Sequence, residues 1–185
     1  MKTKLFLVRH GQTVDNANQI MQGQTQGELT EEGFRQAREL RDRLASTHFD
    51  AVIASDLHRS IQTAEVLAEP HGLAVVTTPL LRERDWGSFT GRFIPDLKDV
   101  AWPDDIETLE ALMERAGRFL EFIRGARYEV RGRRTLATEG TQETTVLAVG
   151  HGIINKAIQA VHYGKQMREV ERMGNCEVRI LMLGE

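Results

Sequence analysis

The 185-residue chain holds one cysteine, Cys176, no internal repeat, and no apolar run near the ~20 residues of a membrane span. Each absence closes a class. A lone cysteine rules out an internal disulfide and any cysteine-based zinc site, and its apolar neighbours suit a buried thiol. Neither G-x-x-x-x-G-K-[ST] nor G-x-G-x-x-G occurs, so nucleotide cradles of those kinds have no support. The opening "MKTKLFLV" starts like a secretory signal, but its apolar run is four residues before Arg9. A signal needs about seven or more, so a cytoplasmic protein is expected. No linker-like stretch splits the sequence, and residues 1–185 read as a single domain.

Charge is also scarce in net terms. At −3, the chain offers no global attraction to nucleic acid or to an anionic membrane, and neither is expected as a partner. Lysine is sparse too: of 24 basic residues, 19 are arginine and 5 lysine. An arginine-rich genome gives the same ratio, but the guanidinium fork is also the better ligand for phosphate or carboxylate. Attention therefore shifts from total charge to local sites.

Periodicity supplies the frame. "KLFLV" (4–8), "DAVIAS" (50–55), "LAVVTT" (73–78), "TTVLAVG" (144–150) and "CEVRILML" (176–183) read as strands. Between them, 29–47 repeats Phe34, Ala37, Leu40 and Leu44 at helical spacing, with Thr30 as N-cap and Glu31 and Glu32 in the first turn. Residues 56–72 open on Asp56 as N-cap and close on Pro70 and Gly72. Residues 106–125 form an amphipathic helix through Leu109, Leu112, Ala116, Phe119 and Ile123, and 153–164 another. Alternation of this kind predicts an α/β fold with a mainly parallel sheet, whose ligands sit beyond the carboxyl ends of the strands. Segments 14–28 and 79–105 are too long for idle connections and are candidate site loops. The charged and polar segment 126–143 reads as a surface excursion.

The chemistry gathers at strand ends. Arg9 and His10 close the first strand, and His151, in "AVGHG", closes the fourth, so both histidines project to one edge of the sheet. Arg59 lies in the first turn of the helix after "DAVIAS" and points the same way. Glu83 and Trp86 fall in the loop after the third strand. Phosphoryl transfer without a metal needs such a set: arginines on the phosphate oxygens, one imidazole as nucleophile, and an acid for the leaving oxygen. Flanking guanidinium groups keep an imidazole neutral and its lone pair free. Glu83 is the acidic residue of these loops with an Arg/Trp setting, and burial beside Trp86 and an anionic substrate would keep it protonated. His48, His58, His71 and His162 show no metal-ligand spacing and read as surface or packing residues, with His58 close enough to Arg59 to brush the site. Trp102-Pro103 reads as a loop anchor.

"LVRHGQT", "SDLHRSIQTAEVL", "LRERDWGSFTG" and "VGHG" together resemble the four signatures of the histidine phosphatase superfamily, in its phosphoglycerate-mutase-like branch. The order matches and spans almost the whole chain. The resemblance implies a three-layer α/β sandwich with one antiparallel edge strand, which "NCEVRILML" suits. It implies His10 as the phosphorylated nucleophile and Glu83 as proton donor, with Arg9, Arg59 and His151 completing the phosphate pocket. It adds Asn16, six residues past the nucleophile, on the phosphate; Thr13 near the pocket; and Gln22 and Gly23 in the loop over the site.

The chain also departs from that pattern. Asp15 stands where the family often has tryptophan. True mutases are longer, with loops over the site, and use a lysine eleven residues past the acid; here that position is Ile94. Arg92 is nearby, although Gly91-Arg92 equally suits a solvated turn. The expected activity is therefore metal-free hydrolysis of a small-molecule phosphomonoester, without a cofactor. Mutase-type phosphoryl transfer and a phospho-ligand binding module on the same scaffold are the alternatives, and the edge strand leaves a homodimer open.

Overall fold

The computed structural model describes residues 2–125, 128–130, 133–135 and 143–184. In chain order the elements are β1 (Lys2–Arg9), α1 (Val14–Ala17), α2 (Glu31–Leu44), β2 (Ala51–Ser55), α3 (His58–Ala68), β3 (Val75–Thr78), α4 (Leu109–Gly125), β4 (Tyr128–Val130), β5 (Arg133–Thr135), β6 (Glu143–Gly150), α5 (Gly152–Tyr163) and β7 (Val178–Leu183). The main sheet runs β3-β2-β6-β1-β7, parallel except for β7, which pairs antiparallel with β1 at the edge.

Because successive strand residues face opposite ways, each apolar strand serves two layers. Leu5, Leu7, Ala51, Ile53, Val146 and Ala148 pack against α4 and α5. Phe6, Val8, Val52, Ala54, Leu147 and Val149 pack against α2 and α3. The result is a three-layer α/β sandwich, as the sequence predicts. Cys176 is buried in the α2/α3 layer, and burial pushes its thiol up to about 12. Among the described residues no helix is long and apolar enough to cross a membrane.

Helix ends follow local chemistry, with some departures from expectation. Thr30 caps α2, its Oγ1 accepting from Gly33 N at 3.0 Å. Asp56 does not cap α3. Its carboxylate instead takes a two-pronged bond from Arg82, at 2.7 and 2.6 Å, and a bidentate charged pair outcompetes a single capping bond. The N–H groups of His58 and Arg59 go to Gln26, through its side chain at 3.0 Å and its carbonyl at 3.3 Å. Helix α4 starts at Leu109 rather than 106, where Thr108 Oγ1 accepts from Ala111 N at 3.1 Å. Leu109, expected on the buried face, is consequently exposed. Within 126–143, β4 and β5 form an antiparallel ribbon and Glu143 opens β6, and the rest of that segment lies outside the described residues.

The two long segments close on each other. Ile20 and Phe93 form an isolated bridge, with main-chain bonds from Met21 N to Arg92 O (2.9 Å), Gly91 N to Met21 O (2.8 Å) and Ile94 N to Gln19 O (2.8 Å). Arg115 of α4 straps the second segment from below. It donates to the carbonyls of Leu80 and Arg82 at 3.2 and 2.6 Å and pairs with Glu107 at 3.0 and 2.7 Å.

The turn after β1 lies backbone to backbone against α2. A Cβ on Gly11 would sit 2.6 Å from Gly33 O, and one on Gly33 would sit 2.1 Å from Gln12 O. Helix propensity alone would make Gly33→Ala stabilising by about 1 kcal/mol. The steric contact reverses that sign, and urea denaturation is expected to show a loss of ~1–3 kcal/mol.

Candidate active site

Register delivers the two histidines. Arg9 of β1 lies opposite Gly150 of β6, so the next residue of each strand emerges side by side. The His10 and His151 rings stand 5.0 Å apart. Glycines flank them for packing reasons. Gly11 admits α2, and a Cβ on Gly150 would lie 2.3 Å from Asn155 Oδ1. Asn155 in turn ties α5 to β1, its Nδ2 donating to Val8 O at 2.9 Å.

Hydrogen bonds fix the tautomer of each ring. His10 Nδ1 lies 2.7 Å from the carbonyl of Gly11, which only accepts. The proton of a neutral His10 is therefore on Nδ1, and the lone pair is on Nε2. His151 is the reverse. Arg59 Nε donates to its Nδ1 at 3.2 Å, so the His151 proton sits on Nε2, facing Ser60 Oγ at 3.2 Å. Burial pushes both rings well below the usual histidine pKa, and the charges of Arg59 and Arg9 push the same way. Both imidazoles are neutral at pH 7.

Arg59 is 1% exposed. Besides His151, it donates from Nη1 to the carbonyls of Thr25 and Gln26 and from Nη2 to Gly23 O at 2.8 Å. One N–H of its five is left over. Arg9 is more open: Nη1 donates to Met173 O at 2.8 Å, while Nε is buried with no partner among the described residues. Burial is the largest influence on both guanidiniums and lowers each to about 10, so both are cationic at neutral pH.

Glu83 reaches the N-terminus of α5. Its Oε1 accepts from the N–H groups of Arg84, Ile153 and Ile154 at 2.9, 3.1 and 3.1 Å. Oε2 accepts only from Ile153, at 3.2 Å, and is the freer oxygen. Asn16 closes a capping box on Thr13: its Oδ1 accepts from Thr13 N and its N–H donates to Thr13 Oγ1. Asn16 Oδ1 also accepts from Asn175 Nδ2 at 3.4 Å, and its own Nδ2 makes no hydrogen bond among the described residues.

These elements enclose a cavity of about 50 Å³, lined by Arg9, His10, Asn16, Gln22, Gly23, Arg59 and Glu83, with Ile20, Met21, Trp86, Ile94 and Arg172. Seven of the nine residues expected from the sequence meet there. Thr13 does not line it; it is fully buried and its hydroxyl caps α1. His151 does not line it either. It stands behind His10 and Arg59 with both ring nitrogens engaged. His58, Arg92 and Trp102 are likewise absent from the lining; the Trp102 ring packs 5.8 Å from Trp86, with Arg84 stacked on both. Among the described residues, no group of three or more His, Cys, Asp or Glu side chains is arranged to hold a metal ion.

Sequence reasoning missed Arg172. The signal was present in the topology. An antiparallel edge strand beside β1 must begin where β1 ends, so the loop leading into β7 has to cross the histidine edge.

A sequence profile of the histidine phosphatase superfamily (branch 1) matches residues 5–185. A Yersinia enterocolitica protein named "Probable phosphoglycerate mutase GpmB" is 46% identical over 94 residues, 51% of this chain and 44% of that protein. The chain thus matches less than half the length of that curated relative. Among solved structures, a mycobacterial glucosyl-3-phosphoglycerate phosphatase is similar at TM-score 0.80 and 26% identity, over 98% of this chain and 91% of its own. YhfR of Bacillus stearothermophilus is similar at TM-score 0.80 and 25% identity, over 96% of this chain and 90% of its own.

The two neutral rings tie stability to pH. Unfolded, each histidine binds a proton near pH 6.5; folded, each resists it until well below. The unfolded state therefore holds more protons as pH falls below 6.5, and stability drops, by up to about 1.4 kcal/mol per pH unit per ring. Urea midpoints measured from pH 7.5 to 5.5 are expected to fall, and to fall less steeply in His10→Gln and in His151→Gln.

Proposed function

This chain belongs to the histidine phosphatase superfamily, and from that premise we propose that it is a metal-independent phosphomonoester hydrolase, with His10 as nucleophile and Glu83 as general acid and base. The observation that carries this reading is the His10 tautomer. A ring held neutral between two guanidiniums, with Nδ1 tied to Gly11 O at 2.7 Å, presents its Nε2 lone pair to the cavity as a nucleophile.

In the first step Nε2 bonds to phosphorus as the ester P–O bond breaks. The leaving oxygen takes a proton from protonated Glu83. The Nδ1–H bond to Gly11 O stays in place and disperses the positive charge that grows on the ring. Arg9 and Asn16 Nδ2 supply donors to the phosphoryl oxygens, and Arg59 supplies one N–H and its buried charge. In the second step the Glu83 carboxylate takes a proton from water. The water oxygen bonds to phosphorus as the P–N bond breaks, and that electron pair returns to Nε2. His151 acts through Arg59, holding its fork in position. The cavity is little larger than the transferred group, so the leaving group of the proposed small phosphomonoester lies toward its mouth.

A mutase reading, in which a second substrate hydroxyl takes the phosphoryl group in place of water, is favoured by the name of the Yersinia relative over its matched 94 residues. Phosphatase reading and mutase reading part in one assay. Hydrolysis of p-nitrophenyl phosphate is expected to outrun interconversion of 2- and 3-phosphoglycerate, and to survive chelator. Rapid quench is expected to trap an acid-labile, base-stable phosphoenzyme. His10→Ala should abolish it, and Glu83→Gln should slow turnover by about 10²–10⁴-fold. Interconversion faster than hydrolysis would transfer the assignment to a mutase, and an active His10→Ala protein would end it.

A further inference from the structure

Resting on that hydrolase reading, we propose that Arg172 is a recognition residue for a second negative group on the substrate, carried by the leaving group close to the ester oxygen. Four charged side chains line the cavity: Arg9, Arg59, Glu83 and Arg172. Arg9 and Arg59 match the two charges of a phosphoryl dianion, and Arg172 is a third cation in the same lining. Arg172 is the cation not otherwise engaged: it is exposed, and no hydrogen bond or ion pair is made by its side chain among the described residues.

Its surroundings make this unusual. Two acidic side chains of the same loop are engaged elsewhere: Glu177 pairs with Arg179 at 2.9 Å and accepts from Gly174 N at 2.6 Å, and Glu169 accepts from Gln166 N at 2.7 Å; Glu171, the neighbour in sequence, makes no ion pair with Arg172. Arg172 instead lies against the first residue of α5, the positive end of that helix. A Cβ on Gly152 would come 2.6 Å from its Nε. Its charge is also the strongest of the electrostatic influences lowering Arg9. The N–H groups of Ile153 and Ile154 at that helix end are taken by Glu83, so a guanidinium seated on a side-chain-free residue beside Arg9 keeps its donors for a group entering the cavity. The rest of the lining beyond His10 is uncharged: Ile20, Met21, Trp86 and Ile94, with Asn16, Gln22 and Gly23. No other charge in the lining is available to meet a carboxylate or second phosphate on the leaving group.

The test compares two esters that share a three-carbon skeleton, 3-phosphoglycerate and glycerol 1-phosphate. They differ by a carboxylate in place of a hydroxymethyl group. Phosphate release is measured for wild type, Arg172→Gln, Gly152→Ala, which unseats the guanidinium, and Arg168→Gln, which removes a charge from the same loop outside the cavity lining. The ratio of kcat/KM for the carboxylated over the neutral ester is expected to fall at least tenfold in Arg172→Gln and in Gly152→Ala, and to hold in Arg168→Gln. Equal losses for both esters would overturn the proposal, because Arg172 would then be serving the phosphoryl group itself; so would no loss for either. Calorimetric binding of the same two esters runs in parallel. If wild type hydrolyses neither, the hydrolase reading fails, while the loss or persistence of the carboxylate's binding advantage in Arg172→Gln still decides the role of that side chain.

Discussion

The structure around the cavity depends on burying one full positive charge. Arg59 has almost no contact with solvent, and its charge is made tolerable by oxygens of the main chain rather than by a carboxylate partner. Three consecutive features follow. The segment 23–26 must fold over α3 to bring its carbonyls to the guanidinium. Gln26, so placed, caps the helix from which Arg59 projects. His151 is locked in one tautomer because a guanidinium can only donate to it. Removing the arginine would strand several inward carbonyls, each worth about 1–3 kcal/mol when left unmet. The loop, the helix start and the second histidine therefore stand or fall together.

A division of labour results. The parallel strands β1 and β6 fix the two rings through register. The segments 14–28 and 79–105 set the walls, and they do so by pairing main chain with main chain across Ile20 and Phe93. Glu83 is placed by a third agent, the first turn of α5, while Arg115 holds its segment from behind. Each chemical part is thus positioned from a different layer of the sandwich.

Much of this was legible before any coordinates. Period-two apolar runs specify buried strands, period-three-to-four runs specify helices, and residues at strand ends converge because parallel strands share a direction. His10 and His151 follow from strand ends and Arg59 from a helix start, while Glu83 follows from its Arg/Trp loop setting and the resemblance. What escaped was decided by competition between neighbours far apart in sequence. Asp56 has the composition of a cap, yet Arg82, 26 residues on, claims it. Thr13 has the composition of a phosphate ligand, yet its hydroxyl closes a turn of its own. Arg172 carries no motif at all. Only the antiparallel return of β7 brings it to the site.

The single thiol adds a last consequence. Cys176 is sealed in the sandwich one main-chain bond away from Arg9, its N–H donating to Arg9 O at 3.0 Å, and it stays protonated at any physiological pH. A buried thiol kept neutral is a poor target for disulfide exchange, which runs through an exposed thiolate, so the sulfur open to oxidation beside the cavity is the thioether of Met21 rather than the thiol.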